Sequence, residues 1–347
     1  MSGECTGTGG GTPPQPGSIK SLVDLSKSPY DLKTYWGRAK HFFSVTDPRL
    51  AFLSKERLFQ AEQLMSAYEE DRVPPNTTET ELREAKRIFD SAFHPQTKEL
   101  QTMVGRMSFQ VWGNMFITGA MLTFYKTTPQ VVLWQWVNQS FNAIVNYTNR
   151  NASNPISNEQ LALAYTGATG AATATALGLN YAIKHSPALA HGIVGRLVPF
   201  AAVAAANCIN IPAMRESELR HGIGLSDEKG CAITSADGGV VESKTAAKKA
   251  ISLVVVSRII MAIPGMTIPP LVANRLQHKP FFKRMPVLLL PLQTVLCGLC
   301  LVFATPLACA IFPQTSSLHV DQLEGECREK LKAAGFTGDT VYFNKGL

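Results

Sequence analysis

The stretch Met107–Tyr125 reads MSFQVWGNMFITGAMLTFY, and after the single charge of Lys126 the chain continues over Thr127–Asn149 as TTPQVVLWQWVNQSFNAIVNYTN. These are two uncharged runs of 19 and 23 residues. A helix needs about 20 predominantly apolar residues to cross a ~30 Å hydrocarbon core, so the first run has the length of a membrane span. The second run differs in kind. Gln135, Asn138, Asn142, Asn146 and Asn149 recur at helical spacing, and on a helix they make one amide stripe. Trp134, Val137, Phe141, Ile144 and Val145 occupy much of the remaining surface. Such a helix lies at an interface, re-enters the membrane, or faces a polar interior.

Outward from this stretch the same pattern recurs. Residues 107–214 hold only five charges, Lys126, Arg150, Glu159, Lys184 and Arg196, whereas residues 1–106 hold 28 of the 59 in the chain. Further uncharged or nearly uncharged runs cover 161–183, 197–214, 251–274 (interrupted by Arg258) and 285–318. Gly167/Ala171 and Gly170/Ala174/Gly178 repeat small residues four apart, a spacing that lets helix backbones approach closely in lipid. The expected fold is an all-α membrane protein. Five spans are expected at about 107–125, 162–183, 196–214, 251–272 and 289–311, with 130–149 as a sixth span or an amphipathic or re-entrant helix. Five spans would put the chain ends on opposite sides, and counting Lys and Arg between them favours the N-terminal region on the negative face. A soluble domain needs charge along its whole surface, and this chain, 17% charged overall, lacks it in its middle.

The N-terminal third is polar and balanced, with 14 basic and 14 acidic residues over 1–106. Residues 1–29 read as a disordered tail, rich at first in Gly, Pro, Ser and Thr. Residues 30–106 read as a soluble helical region. Ser54 is placed to cap one helix, and Thr78 with Glu81 forms a capping box for another. Residues 314–347 read as a C-terminal tail. The opening residues lack the Arg-rich amphipathic pattern of a mitochondrial presequence.

Candidate chemistry is sparse. No Walker A, GxSxG, GxGxxG or HExxH motif occurs, so no enzyme and no cofactor is expected. No clustered basic patch points to nucleic acid. Cys297 and Cys300 form a lone CxxC inside an apolar run and have no second pair or His to complete a zinc site, so packing explains them and no metal is expected. The amides carry the stronger signal. An unpaired amide in lipid is costly, so Asn138, Asn142 and Asn146 either line a path for a small polar solute or join helices. Asn207 and Asn210 precede Pro212. Pro212 either breaks a helix at membrane depth, freeing backbone groups for a substrate, or marks the end of a span. Arg258 either holds a substrate carboxylate or snorkels to the interface. Asp90 and His94, one helical turn apart and followed by Pro95, form a further pair.

These stretches resemble the sideroflexin family, nearest its sideroflexin 1, 2 and 3 group. The similarity rests on residues 37–43 (GRAKHFF) with Val45–Arg49, on Trp134–Asn142 and Asn146–Arg150, on Val198–Pro212, and on Tyr342–Leu347. Asp90–Pro95 resembles the start of the family's HPDTGE region, which here reads His94-Pro95-Gln96-Thr97-Lys98-Glu99, with Gln in place of Asp and Lys in place of Gly. The resemblance implies a multi-pass protein of the mitochondrial inner membrane, with its N-terminal region in the matrix. It also implies import of serine and other small neutral amino acids for one-carbon metabolism. The alternatives are a scaffold or assembly protein that docks inner-membrane partners without solute flux, and a carrier of another solute such as a tricarboxylate or an iron species. A tricarboxylate would want several buried cations, of which Arg258 is the one within an expected span. Iron would want His, Cys or carboxylate clusters.

Overall fold

A computed structural model describes residues 24–25, 28–94, 97–148, 157–185, 197–235 and 238–346. Most of the expected tail at 1–29 therefore lies outside the described residues, as do Pro95 and Asn149. The described chain is mostly helical. Three helices form the N-terminal region: α1 (Tyr35–Val45), α2 (Lys55–Glu69) and α3 (Glu79–Ala92). Ser54 caps α2, and Thr78 and Glu81 form the capping box of α3. Leu58, Ala61 and Met65 of α2 pack on Leu82, Ala85 and Ile88 of α3.

Six longer helices follow: α4 (Gln110–Phe124), α5 (Thr128–Thr148), α6 (Asn158–His185), α7 (Val198–Met214), α9 (Lys244–Leu276) and α11 (Leu289–Ile311). Short helices α8 (Glu216–His221), α10 (Pro280–Arg284) and α12 (Gly325–Ala333) complete the order. Two of these helices, α9 and α11, are long and apolar enough to cross a membrane. The others depart from the expected spans for physical reasons. Residues 107–109 wind as a separate 3₁₀ turn, leaving α4 with 15 residues, about 22 Å at 1.5 Å per residue. Helix α7 has 17 residues, about 25 Å by the same rise. Helix α6 is long but rich in Ala, Thr and Gly rather than bulky apolar residues. The α9 span begins seven residues earlier than expected, at Lys244, because Ser243 caps it there.

The six helices close into a ring in which each runs antiparallel to its neighbours. Tyr125 at the end of α4 meets Gln135 on α5, and Thr148 at the far end of α5 closes on Gly105 ahead of α4. Ser140 of α5 bonds Tyr165 of α6, while Val131 shares a core with Ala176. Ala168 and Ala172 of α6 pack on Ala206 of α7. Val203 of α7 meets Met266 of α9, Ser257 of α9 bonds Ala308 of α11, and Met115 of α4 crosses Gly298 of α11. Six alternating helices return the chain to the end where it entered. Because α5 runs the full length of the pair with α4, both chain ends lie at one end of the ring, whereas five alternating helices alone would place them at opposite ends.

Two further expectations change. The close approach in α6 is made by Ala164, Ala168, Ala172 and Ala176, all buried, whereas Gly170 and Gly178 face open space. Pro212 does not break α7 at depth. The helix runs to Met214, and the Arg215 N–H closes on the Ile211 carbonyl. Of the two readings of Pro212, the structure takes the helix end.

Residues 314–347, expected as a tail, carry structure. Strands β3 (Thr315–His319) and β4 (Thr340–Asn344) pair antiparallel around α12. The loop after α8 contributes β1 (Ile223–Gly224) and β2 (Glu242–Ser243), and Ser226 bridges to Tyr342. Leu225, Ile233, Val241, Leu318, Leu331, Val341 and Phe343 bury together with Ala246 and Ala250 at the start of α9. This small module sits on the same end of the ring as α1, whose Tyr35 hydroxyl and Arg38 guanidinium donate to the Leu307 and Ala310 carbonyls of α11.

Candidate functional site

An apolar plug joins α4, α5, α7 and α9 across the ring. Met121, Val203 and Met266 are its buried members, with Ile117, Tyr125, Trp134, Phe200 and Ala262 against them. Helical periodicity shows what lies on the side of the plug toward the chain-end module. Residues four or seven apart share a helix face. Asn138 stands one turn, about 6 Å, beyond Trp134 on α5. Asn210 stands two turns, about 10 Å, beyond Val203 on α7. Asn114 is two turns from Met121 on α4, and Arg258 one turn from Ala262 on α9. Four polar residues on four helices thus lead away from the plug in one direction.

The amides of α5 are buried more completely than the stripe alone required. Gln135 is fully buried, Gln139 is 3% exposed and Asn138 is 4% exposed. Gln135 Nε2 donates to the Tyr125 hydroxyl, which ties α5 to α4. Among the described residues its Oε1 has no partner, and neither do Asn138 Nδ2 and Gln139 Nε2. Ser108 Oγ and Gln110 Nε2, at the start of α4, are also buried without partners. Buried polar groups are overwhelmingly hydrogen-bonded, and each exception asks for a reason such as a water or ligand. The two sequence readings therefore divide by residue. Gln135 joins helices through one end of its amide, while Asn138 and Gln139 present donors that nothing among the described residues accepts.

The remaining candidates distribute as follows. Asn142 is half-buried one turn beyond Asn138. Asn146 lies on α5, and its side chain is outside the described residues. Asn210 is buried and Asn207 half-buried. Arg258 is half-buried beside Cys309. Gln139 was missed as a site residue, although its spacing of four from Gln135 could have found it.

The Asp90–His94 pair separates. Lys86 Nζ donates to both oxygens of Asp90 at 3.0 and 2.9 Å. His94 is buried, and its Nδ1 accepts from the Thr97 N–H at 3.1 Å. The imidazole that feels Asp90 electrostatically is His41 of α1, which burial holds below the usual histidine range against the pull of that carboxylate. His94 instead organises the turn that follows it, where Lys98 adopts a left-handed backbone, φ +58°. Cys297 packs against Val111 and Leu301, in agreement with a packing role. Among the described residues, no three His, Cys, Asp or Glu side chains gather to hold a metal. A surface groove of about 550 Å³ runs between α2 and α3, bounded by Arg57, Leu64 and Ile88, away from the amides.

A ring of antiparallel helices, two of them long and apolar enough to cross a membrane, with buried amides that have no partner among the described residues, is the architecture of a membrane-associated helical protein. Comparison with known proteins then gives the family. The sideroflexin family model matches residues 24–347. The chain is 52% identical over 332 residues to human sideroflexin-1, covering 95% of this chain and 99% of that protein. It is 53% identical over 331 residues to sideroflexin-3 of Mus musculus, covering 95% and 100%, and 52% identical to sideroflexin-1 of Sus scrofa over 95% and 99%. This chain belongs to the sideroflexin family, close to sideroflexins 1 and 3. No solved structure matches it.

Proposed function

We propose that this protein is a multi-pass transporter of the mitochondrial inner membrane that carries serine, and with it other small neutral amino acids, into the matrix for one-carbon metabolism. Membership of the sideroflexins supports a mitochondrial membrane protein of transporter type. The observation that carries the solute path is the set of buried, unpartnered donors at Asn138 and Gln139. Amides offer both donors and acceptors without burying net charge, which suits a small zwitterion with a hydroxyl. In this reading the transmembrane domain spans 107–313. The five expected spans are α4, α6, α7, α9 and α11, and α5 is a sixth crossing, the amide-bearing wall between α4 and α6. Residues 30–106 and the module after 314 face the matrix.

Asn138, Asn142, Asn146, Asn207 and Asn210 then line the path, and Arg258 stands at its mouth. Transport proceeds by alternating access, in which the plug of Met121, Val203 and Met266 parts on one side at a time. Saturable serine uptake by purified protein in liposomes, competed by a panel of small neutral amino acids, tests the reading. Asn210→Leu is expected to abolish that uptake while the helix content stays unchanged. Absence of saturable flux from the wild-type protein would replace this reading with that of an inner-membrane scaffold.

A further inference from the structure

Four cationic side chains from four separate elements converge where α11 ends. Arg38 of α1 donates from Nε to the Ala310 carbonyl at 2.9 Å. Arg258 of α9 follows Ser257, whose hydroxyl donates to the Ala308 carbonyl at 3.0 Å. Arg215, just after α7, donates to the Lys345 carbonyl at 2.9 Å. Lys345, just after β4, is anchored by its N–H on the Gln314 carbonyl at 2.7 Å. Lys345 is only 4% exposed and Arg38 only 9%.

The charges in this cluster do not balance. Arg215 has Glu218 as its ion-pair partner. Arg38 spends its donors on the carbonyls of Ala310, Leu32 and Lys33, which orient it without neutralising it. Among the described residues, neither Arg258 nor Lys345 has a carboxylate partner. Three positive charges thus remain without a carboxylate partner among the described residues, those of Arg38, Arg258 and Lys345. Burial pushes the Lys345 ammonium below the usual lysine range, and Arg258, Arg215 and Arg38 push the same way against the nearby Cys309. Unpaired buried cations are strongly destabilising, and guanidinium forks match oxyanions in shape and charge. A neutral zwitterion would not cancel an excess of three, and its own ammonium would be repelled.

We propose that Lys345, Arg258, Arg38 and Arg215 form a binding site for a phosphate-type oxyanion carrying at least two negative charges, free or as the headgroup of an acidic phospholipid, which fastens the chain-end module to the helix ring. The site shares Arg258 with the proposed path but not the amides beside the plug, and its test is read without serine, so the two readings can fail separately.

The test is thermal unfolding of the purified full-length protein at constant ionic strength, without serine. One arm compares sodium phosphate with sodium chloride in neutral detergent. A second compares nanodiscs of phosphatidylcholine with and without cardiolipin, whose headgroup carries two phosphate charges. A rise in Tm of about 3 °C or more is expected in at least one arm. A rise in the first arm identifies a free anion as the source, and a rise confined to the second identifies the lipid. Lys345→Met and Arg258→Gln should each lose most of that rise. Lys345→Met should also match or exceed the wild-type Tm in chloride, because it removes a buried charge. No rise in either arm, or the same rise in both variants as in the wild type, overturns the proposal. Serine uptake, measured separately, reports on the transport reading alone.

Discussion

Gly113 of α4 lies so close under the ring of Phe141 that a Cβ built on it would stand 2.2 Å from Phe141 Cζ. That distance is far inside van der Waals contact, so the seam between α4 and the amide-bearing α5 depends on a hydrogen at this position. Gly113→Ala must therefore tilt the ring or part the helices. Overpacking of this kind costs typically about 1–3 kcal/mol. A lower Tm is expected, with partial recovery in the double variant Gly113→Ala/Phe141→Leu, where the ring no longer blocks the methyl group. An unchanged Tm for the single variant would show that α5 is free to move away from α4.

Asn138 and Gln139 set stability against function. A buried amide with an unpaired donor costs about 1–3 kcal/mol. Replacing Asn138 by Leu removes that cost and fills a similar volume. Asn138→Leu is expected to raise the unfolding temperature while eliminating serine uptake. Interhelical glue would give the opposite stability change. The same pair of measurements on Gln135→Leu should show a loss of stability, because Gln135 Nε2 does have a partner in Tyr125.

Much of this was legible in the sequence, and the remainder has identifiable causes. The α11 boundaries at Leu289 and Ile311 follow from an uncharged run interrupted near its two ends by Pro286 and Pro313, and the capping box at Thr78 is a local signal. The amide stripe was visible because helical spacing is a one-dimensional property. Three things were not visible. The ring requires knowing that α5 runs antiparallel to α4, and a stripe of Asn and Gln is equally compatible with a surface helix. The helix-packing face of α6 is chosen by its neighbour α7, so its alanines and glycines compete on equal terms in sequence. The cation cluster gathers residues 38, 215, 258 and 345, whose separation in the chain hides it from any motif.

Lys98 stands where the family's HPDTGE region has glycine, and its φ of +58° supplies the reason for that glycine. The left-handed conformation costs a side-chain-bearing residue about 1–2 kcal/mol. Lys98 partly offsets this through its ion pair with Glu69, but exposed pairs contribute only about 0–1 kcal/mol. Lys98→Gly should therefore stabilise the N-terminal region by about 0.5–1 kcal/mol. Chemical denaturation followed by the fluorescence of Trp36 would measure it. A destabilised variant would mean that the Glu69 pair outweighs the backbone strain.

Glu324 fastens the small C-terminal module to the start of α9. Its Oε1 accepts from the Lys244 N–H at 2.6 Å, and its Oε2 accepts from the Ser243 hydroxyl at 2.9 Å and the Thr245 N–H at 3.3 Å. Burial would push this carboxyl up, but the hydrogen bonds it accepts outweigh burial and hold it at about 2. Its folded pKa lies below its unfolded value of 4.5, so its contribution is complete above that value. The contribution fades as pH falls from about 4.5 toward 2. Glu324→Gln should remove this part of the acid sensitivity and lower stability at neutral pH. Unfolding midpoints at several acidic pH values and at pH 7 would reveal both effects. Parallel pH profiles in the two proteins would deny Glu324 this role.

The alternation of six helices makes a topological prediction. Arg38 of α1 bonds Ala310 at the end of α11, and Arg215 at the end of α7 bonds Lys345. These contacts hold the N-terminal helices, the loop after α8 and the C-terminal module at one end of the ring. The connection through α10 lies at the other end, since it joins the far ends of the antiparallel pair α9 and α11. If the ring spans a bilayer, epitope tags inserted after Asn76, after Gly230 and after Gly335 must share one compartment, and a tag after Lys279 must occupy the other. Each of these positions is exposed and outside the apolar helices, so insertion there should not perturb packing. Protease protection in sealed mitoplasts, before and after detergent, separates the two compartments. The five-span alternative, in which α5 only dips into the membrane from the side where α4 ends, would place the tags after Asn76 and Gly335 on opposite sides. That outcome would also remove α5 from the wall of the proposed path, because a helix that does not cross cannot carry Asn138 past the plug.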